Sequence, residues 1–232
     1  MGMNNARVIL MLDTVHPPPL VPDTGRCSQS MLRHTLMQWQ SMGVPDLWLF
    51  AYGSLIWKTE FPVAERRLAK VHGYHRALKM WSRINRGTPE RPGLVFALLP
   101  GGSCQGMLLR VPAPEVPDML PRLWDREMPN PVYDPKWLRC HTATGPVKGL
   151  AFTLSKRSPS FTGELQPHEL QHIFHHARGR YGTTLDYARQ TMEQLQALGI
   201  HDRALERLLH HAPHHRPTRD AAQPAHRAIL CE

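Results

Sequence analysis

Leu47–Trp57 reads LWLFAYGSLIW: an apolar block, an abrupt Tyr-Gly-Ser, and an apolar block again. Leu47, Trp48, Leu49 and Phe50 are too few for a helix and rich in aromatic side chains, so they predict a buried strand. Gly53 then breaks it. A glycine there is expected to take positive φ and to let a ligand approach the backbone. The N–H groups around Gly53, Ser54 and Leu55 would then converge on one oxygen or carboxylate as an anion nest. The plain alternative is an ordinary turn at a strand end.

From this turn toward the C-terminus, strand signals come first. Ala69–Met80 has strand composition with Gly73 inside it, which predicts a bend or bulge. Gly93–Leu99 and Gln105–Val111 flank Pro100-Gly101-Gly102-Ser103, a hairpin signal, and Trp137–Thr144 and Val147–Ser155 flank Gly145-Pro146, another. Between the two pairs, Leu120, Leu123 and Trp124 have helical spacing, so a helix is expected from about Pro117, bent by Pro121. The period changes at Gln166. Leu170, Ile173, Phe174 and Ala177 mark one helix, and Leu185–Leu198 and Ala204–Leu209 mark two more. On the N-terminal side, Leu32, Leu36 and Trp39 place a helix over residues 30–42, stopped by Gly43 and Pro45. Strands first and helices afterwards is the order of an α+β domain.

The 232 residues, 41% hydrophobic, suffice for one core. We expect a single domain over 29–212. Residues 1–28, with His16-Pro17-Pro18-Pro19, Pro22 and Gly25, read as a flexible extension, and 213–232 as a basic tail without regular structure. The formal charge of +9 sits largely near the end, in Arg203, Arg207, Arg216, Arg219 and Arg227, so it argues little about a site. The basic residues are scattered and no aromatic–basic motif accompanies them, so no nucleic-acid partner is expected.

Cys27, Cys104, Cys140 and Cys231 stand far apart without zinc-ligand spacing and read as free thiols of a reducing compartment. Val8–Leu12 is too short for a signal sequence and no run reaches membrane-spanning length, so a soluble, cytoplasmic protein without a membrane partner is expected. No nucleotide-binding glycine pattern occurs. His168, His172, His175 and His176 form a polar stripe opposite the apolar face of their helix, as on any surface helix, and no metal site is assigned to them.

Arg83 and Arg86 precede Gly87-Thr88-Pro89, a stiff turn that could hold a guanidinium toward a carboxylate in the bidentate manner; solvated arginines on a loop are the alternative. Glu127 stands in Leu123–Met128, LWDREM, where a glutamate is ordinarily a solvated helix end. Tyr133 and Tyr187, taken alone, suit core positions with a satisfied hydroxyl.

Together, YGSLIW, RGTPERPG (Arg86–Gly93) and LWDREM resemble the ChaC-type γ-glutamylcyclotransferases, over about Leu47 to His211. The resemblance implies a small mixed β-barrel with helices packed around it and the active cavity at its mouth. It implies cleavage of glutathione, a small-molecule substrate, into 5-oxoproline and Cys-Gly, without metal or cofactor. Tyr52, Gly53, Ser54 and Leu55 would cradle the γ-glutamyl group, Glu127 would be the catalytic acid/base, and Tyr133 and Tyr187 would lie near the ligand. Two positions depart from the family pattern: Ala51 replaces a glycine before Tyr-Gly-Ser, and Thr184 replaces the asparagine of G-x-x-G-x-N-x-x-Y. The rival functions are turnover of other γ-glutamyl compounds and a γ-glutamyl-binding regulator without turnover.

Overall fold

The computed structural model describes residues 25–210. The expected tail and all but the last residues of the expected extension lie outside them. Five strands close into a barrel in the order β1-β3-β2-β4-β5. They are β1 (Leu47–Ala51), β2 (Glu65–Ser82), β3 (Gly93–Val111), β4 (Asp134–Thr142) and β5 (Gly145–Thr153). All neighbours are antiparallel except β1 and β5, whose parallel pairing at Leu49↔Leu150 closes the ring and makes the barrel mixed. β1 is buried at every position but Trp48, which is why it reads as a continuous apolar block rather than an alternation.

The hairpin expected at Pro100–Ser103 does not form. β3 runs through these residues because both of its halves face one partner: Leu68↔Met107 on one side and Arg76↔Leu98 on the other. The glycines serve a bulge instead. The register shifts between His72 and Tyr74, and Gly73, Gly101 and Gly102 take φ of +82°, +104° and +69°. Past the bulge, the β2–β3 ribbon leaves its pairings with β1 and β4 and carries the loop 83–92 toward α4. The second expected hairpin is present, but its two-residue turn is Ala143-Thr144, closed by Thr142↔Gly145, and the expected turn residues Gly145 and Pro146 pair within β5.

The helices are α1 (Ser28–Ser41), α2 (Val116–Glu127), α3 (Pro167–His176), α4 (Thr184–Ala197) and α5 (Arg203–His210). Helix α1 starts inside the expected extension, so the boundary at residue 28 falls within the folded part. Pro117 lies in the first turn of α2, while Pro121 stands in its interior, where it removes one backbone bond. Burial of Val116, Met119, Leu120, Leu123 and Trp124 along one face offsets that loss. A short ribbon that sequence periodicity did not announce, β6 (Arg178–Gly179) with β7 (Gly182–Thr183), leads from α3 into α4.

The main apolar cluster joins one side of the barrel wall to all five helices. A second cluster, including Phe50, Val71, Leu98, Leu108, Cys140 and Ala151, draws on every strand of the barrel and on no helix. No helix among the described residues is long and apolar enough to cross a membrane.

Candidate active site

β1 ends at Ala51 and delivers Tyr52 and Gly53 into a 3₁₀ turn, Ser54–Ile56. Gly53 has φ −138°, not the expected positive value. Space, rather than backbone hand, requires the glycine here: a Cβ would stand 3.0 Å from the Tyr187 hydroxyl. Inside the turn Ile56 N–H donates to the Gly53 carbonyl at 3.0 Å, and Trp57 and Lys58 donate to the Ser54 carbonyl. The N–H groups of Gly53, Ser54 and Leu55 precede the first bond of that turn, the position where helical geometry leaves donors without an internal acceptor.

Glu127 is the last residue of α2, in phase with the buried Leu123 and Trp124 of the preceding turn, and its side chain is 19% exposed. Burial raises its pKa. Arg126 works against that shift and Glu60 adds to it. Three tyrosines surround the carboxyl electrostatically. Burial is the main cause of the raised pKa of Tyr52, Tyr133 and Tyr187, the last to about 12, and the Glu127 charge pushes each further up. All three phenols therefore remain protonated at neutral pH. Tyr52 donates to the Phe152 carbonyl at 2.8 Å and is hydrogen-bonded to Tyr133. The Tyr187 ring packs 5.3 Å from Phe96 and 6.1 Å from Trp57. A carboxyl of raised pKa among protonated phenols is suited to taking and returning a proton.

The loop after β2 is fixed by backbone pairing to the β6–β7 ribbon: Arg180 N–H donates to the Ile84 carbonyl at 2.8 Å and Tyr181 N–H to that of Asn85 at 2.9 Å. This brings Arg86 to the site. Its guanidinium lies 4.8 Å over the Tyr187 ring and donates to the Tyr181 carbonyl. Burial lowers its pKa, with Tyr187 and Asp186 opposing the shift. Arg83 is half-buried just past β2, and burial lowers its pKa as well. The bonds described here tie Arg86, rather than Arg83, to the tyrosines.

Three further residues shape the site. Arg126 donates to Ser54 Oγ at 3.2 Å and to the Lys58 carbonyl at 2.7 Å, while its Nε lies 3.3 Å from Glu127 Oε1. It thus couples the acid to the Tyr-Gly-Ser turn. Arg76, buried in β2, donates to the Tyr52 carbonyl at 2.9 Å and the Gln105 carbonyl at 3.2 Å, and Asp202 takes its other edge at 2.7 and 3.0 Å. The signal was present: Arg76 is in phase with Leu78 and Met80 on a strand, a charge at a core position. Thr184, where the family pattern has asparagine, accepts from the Leu94 N–H at 2.7 Å and so pins α4 to β3. Elsewhere, a groove of about 370 Å³ lined by Trp39, Trp48, Trp137 and Arg110, among others, shares no residue with this cluster.

Residues 47–215 match the family described as ChaC-like protein. The chain is 30% identical over 164 residues to the glutathione-specific γ-glutamylcyclotransferase of Escherichia coli (strain K12), a match covering 70% of this chain and 71% of that one. It is 28% identical over 158 residues to glutathione-specific γ-glutamylcyclotransferase 1 of Homo sapiens, covering 66% and 71%. Among solved structures, the crystal structure of a yeast γ-glutamyl cyclotransferase specific to glutathione superposes with a TM-score of 0.65 at 19% identity, over 72% of this chain and 95% of that one. That likeness is one of fold. With the barrel, the turn, Glu127 and the tyrosines all inside the matched span, this chain belongs to the ChaC-like family.

Proposed function

We propose that the protein is a glutathione-specific γ-glutamylcyclotransferase, releasing 5-oxoproline and Cys-Gly. The observation that carries this reading is Glu127, a carboxyl of raised pKa enclosed by three protonated tyrosines beside the Tyr-Gly-Ser-Leu turn. Its relatives' names supply the substrate class.

The reaction needs little from the protein beyond position. The substrate's own α-amine attacks the γ-carbonyl, so the nucleophile is tethered, and effective molarities in such cyclisations reach about 10⁵–10⁸ M. Glu127 takes the proton from the attacking amine. A C–N bond forms in the five-membered ring, and the C–N bond to the cysteine breaks. The same carboxyl returns the proton to the leaving Cys-Gly amine, and no water is consumed. The N–H groups of Gly53, Ser54 and Leu55 face the developing oxyanion or the glutamyl end. Tyr52, Tyr133 and Tyr187 supply neutral donors, and Arg86 faces a substrate carboxylate. Arg83 is assigned a supporting contact on the same loop.

The test is incubation of the purified protein with glutathione and mass-spectrometric detection of 5-oxoproline and Cys-Gly. Glutathione unchanged after long incubation would refute the activity, and release from γ-glutamyl peptides other than glutathione would refute the specificity.

A further inference from the structure

We infer that Arg26 and Ser28, which precede the family-matched span 47–215, are positioning residues that hold the loop between Glu127 and Tyr133 by both of its ends. The inference rests on the functional reading above for its kinetic part and on geometry for the rest.

The loop 128–133, Met-Pro-Asn-Pro-Val-Tyr, cannot brace itself. Pro129 and Pro131 have no N–H, and its middle residues Pro129 and Asn130 are exposed, with a local bond from Val132 N–H to the Asn130 carbonyl at 2.8 Å. Anchors at its two ends therefore decide where it lies. At the first end, Ser28 Oγ donates to the Met128 carbonyl at 2.6 Å. The Trp124 indole N–H donates to the Ser28 carbonyl at 3.0 Å and its Oγ at 3.1 Å, which locks Ser28 onto the last turn of α2. At the second end, the Arg26 guanidinium donates to the Tyr133 carbonyl and pairs with Asp134 Oδ1 at 2.8 Å. Glu127 and Tyr133 flank these anchored carbonyls, one residue away and at the anchor itself. A charge-assisted bond and a short hydroxyl bond are the stronger members of their class, so the strap is a stiff one.

Geometry at this site has leverage, because a displacement of about 1 Å in a positioned group can cost on the order of a hundredfold in rate. A loosened loop would also admit water to Glu127. The groups that face its carboxyl are Arg126 of the same helix, Glu60, and the phenols of Tyr52, Tyr133 and Tyr187, of which Tyr133 is carried by the strapped loop itself. Arg26 and Ser28 thus act on it through the backbone.

The experiment uses the full chain with Arg26→Ala and Ser28→Ala, and the conservative Arg26→Lys and Ser28→Thr. Release of 5-oxoproline from glutathione is followed across pH, and amide hydrogen exchange is followed over 128–133. Each alanine variant should lose at least about tenfold in kcat with KM changed far less. The pH midpoint of kcat/KM should fall toward the ordinary carboxylate value, and exchange over 128–133 should quicken. Ser28→Thr, which keeps the hydroxyl, should restore the wild-type midpoint. An unmoved midpoint with rate loss in proportion to the unfolded fraction, or unchanged exchange, overturns the strap. A wild-type protein that releases no 5-oxoproline refutes the functional reading instead, and the exchange measurement then decides the strap alone.

Discussion

The Tyr187 hydroxyl stands 3.0 Å from the place a Gly53 Cβ would occupy. The turn after β1 and helix α4 are therefore fitted to each other through a missing methyl group. Gly53→Ala forces the phenol to yield, an overpacking that typically costs about 1–3 kcal/mol and about 2–4 °C of Tm for each of them in a domain of this size. Tyr187→Phe removes the atom that clashes. Thermal melts of the single and double variants should show most of the Gly53→Ala cost vanishing in the phenylalanine background. Equal costs in both backgrounds would mean that Gly53 is needed for some other reason.

Arg76 supports the same turn from beneath. Its side chain is 3% exposed and that of Asp202 15%, and Asp202 also accepts from the Leu205 N–H at 3.1 Å, capping α5. Arg76→Ala leaves a nearly enclosed carboxylate and the Tyr52 and Gln105 carbonyls without their donor, a change that ordinarily costs about 3–5 kcal/mol. Asp202→Asn has a single side-chain oxygen, so it keeps either the α5 cap or the acceptor for the guanidinium but not both; it retains part of what Arg76→Ala loses and should cost less. Denaturant melts would show this order. An Arg76→Ala variant as stable as wild type would show that the pair contributes nothing net.

Much of this was legible. The LWLFA block, the bend at Gly73 and the helices after Gln166 follow from periodicity, because each is a local pattern facing a single core. Pro100–Ser103 misleads for a physical reason: two apolar runs around glycines look the same whether the chain reverses or bulges, and only the partner strand decides. Pro121 shows tertiary burial overriding propensity. In the site, Glu127 is in phase with Leu123 and Trp124 on the buried side of α2, but beside Asp125 and Arg126 it reads as a solvated helix end, and motif resemblance singled it out. The bonds of Arg126 to Ser54 and of Asp202 to Arg76 escaped notice because they cross 72 and 126 positions of the chain. Asp202 before Arg203-Ala204-Leu205 did carry a helix-cap signal, although nothing in the sequence tied it to Arg76.

Arg86 meets the site with a planar fork stacked over Tyr187. Lysine at this position keeps the charge and loses both the stacking and the bidentate geometry. A charge-assisted hydrogen bond contributes about 1.5–3 kcal/mol, so Arg86→Lys should raise KM for glutathione by roughly ten- to a hundredfold, with kcat affected less. Steady-state kinetics would check it. A lower kcat at unchanged KM would move Arg86 from ground-state binding to the transition state.

Glu127→Gln separates activity from stability. Glutamine keeps the shape but cannot accept the amine proton, so kcat should fall about a hundred- to ten-thousand-fold with far smaller change in KM. Stability should move the other way. Burial raises the folded pKa of Glu127 above its unfolded value, so the fold favours the protonated carboxyl. In acid, below the unfolded value of about 4.3, the group is neutral in both states and wild type and variant should melt alike. As pH rises through the folded pKa, wild type must hold a desolvated charge that the variant lacks, and Glu127→Gln should become the more stable protein. The wild-type kcat/KM should rise over that same window, since the ionised carboxylate is the base. Coincidence of the two curves ties the proton-transfer group to the buried one. A glutamine variant within about tenfold of wild type would instead send the search to Asp125 or Glu90. Both are exposed, and Glu90 has its pKa lowered by hydrogen bonds from its own backbone and from Thr88, the opposite direction to Glu127.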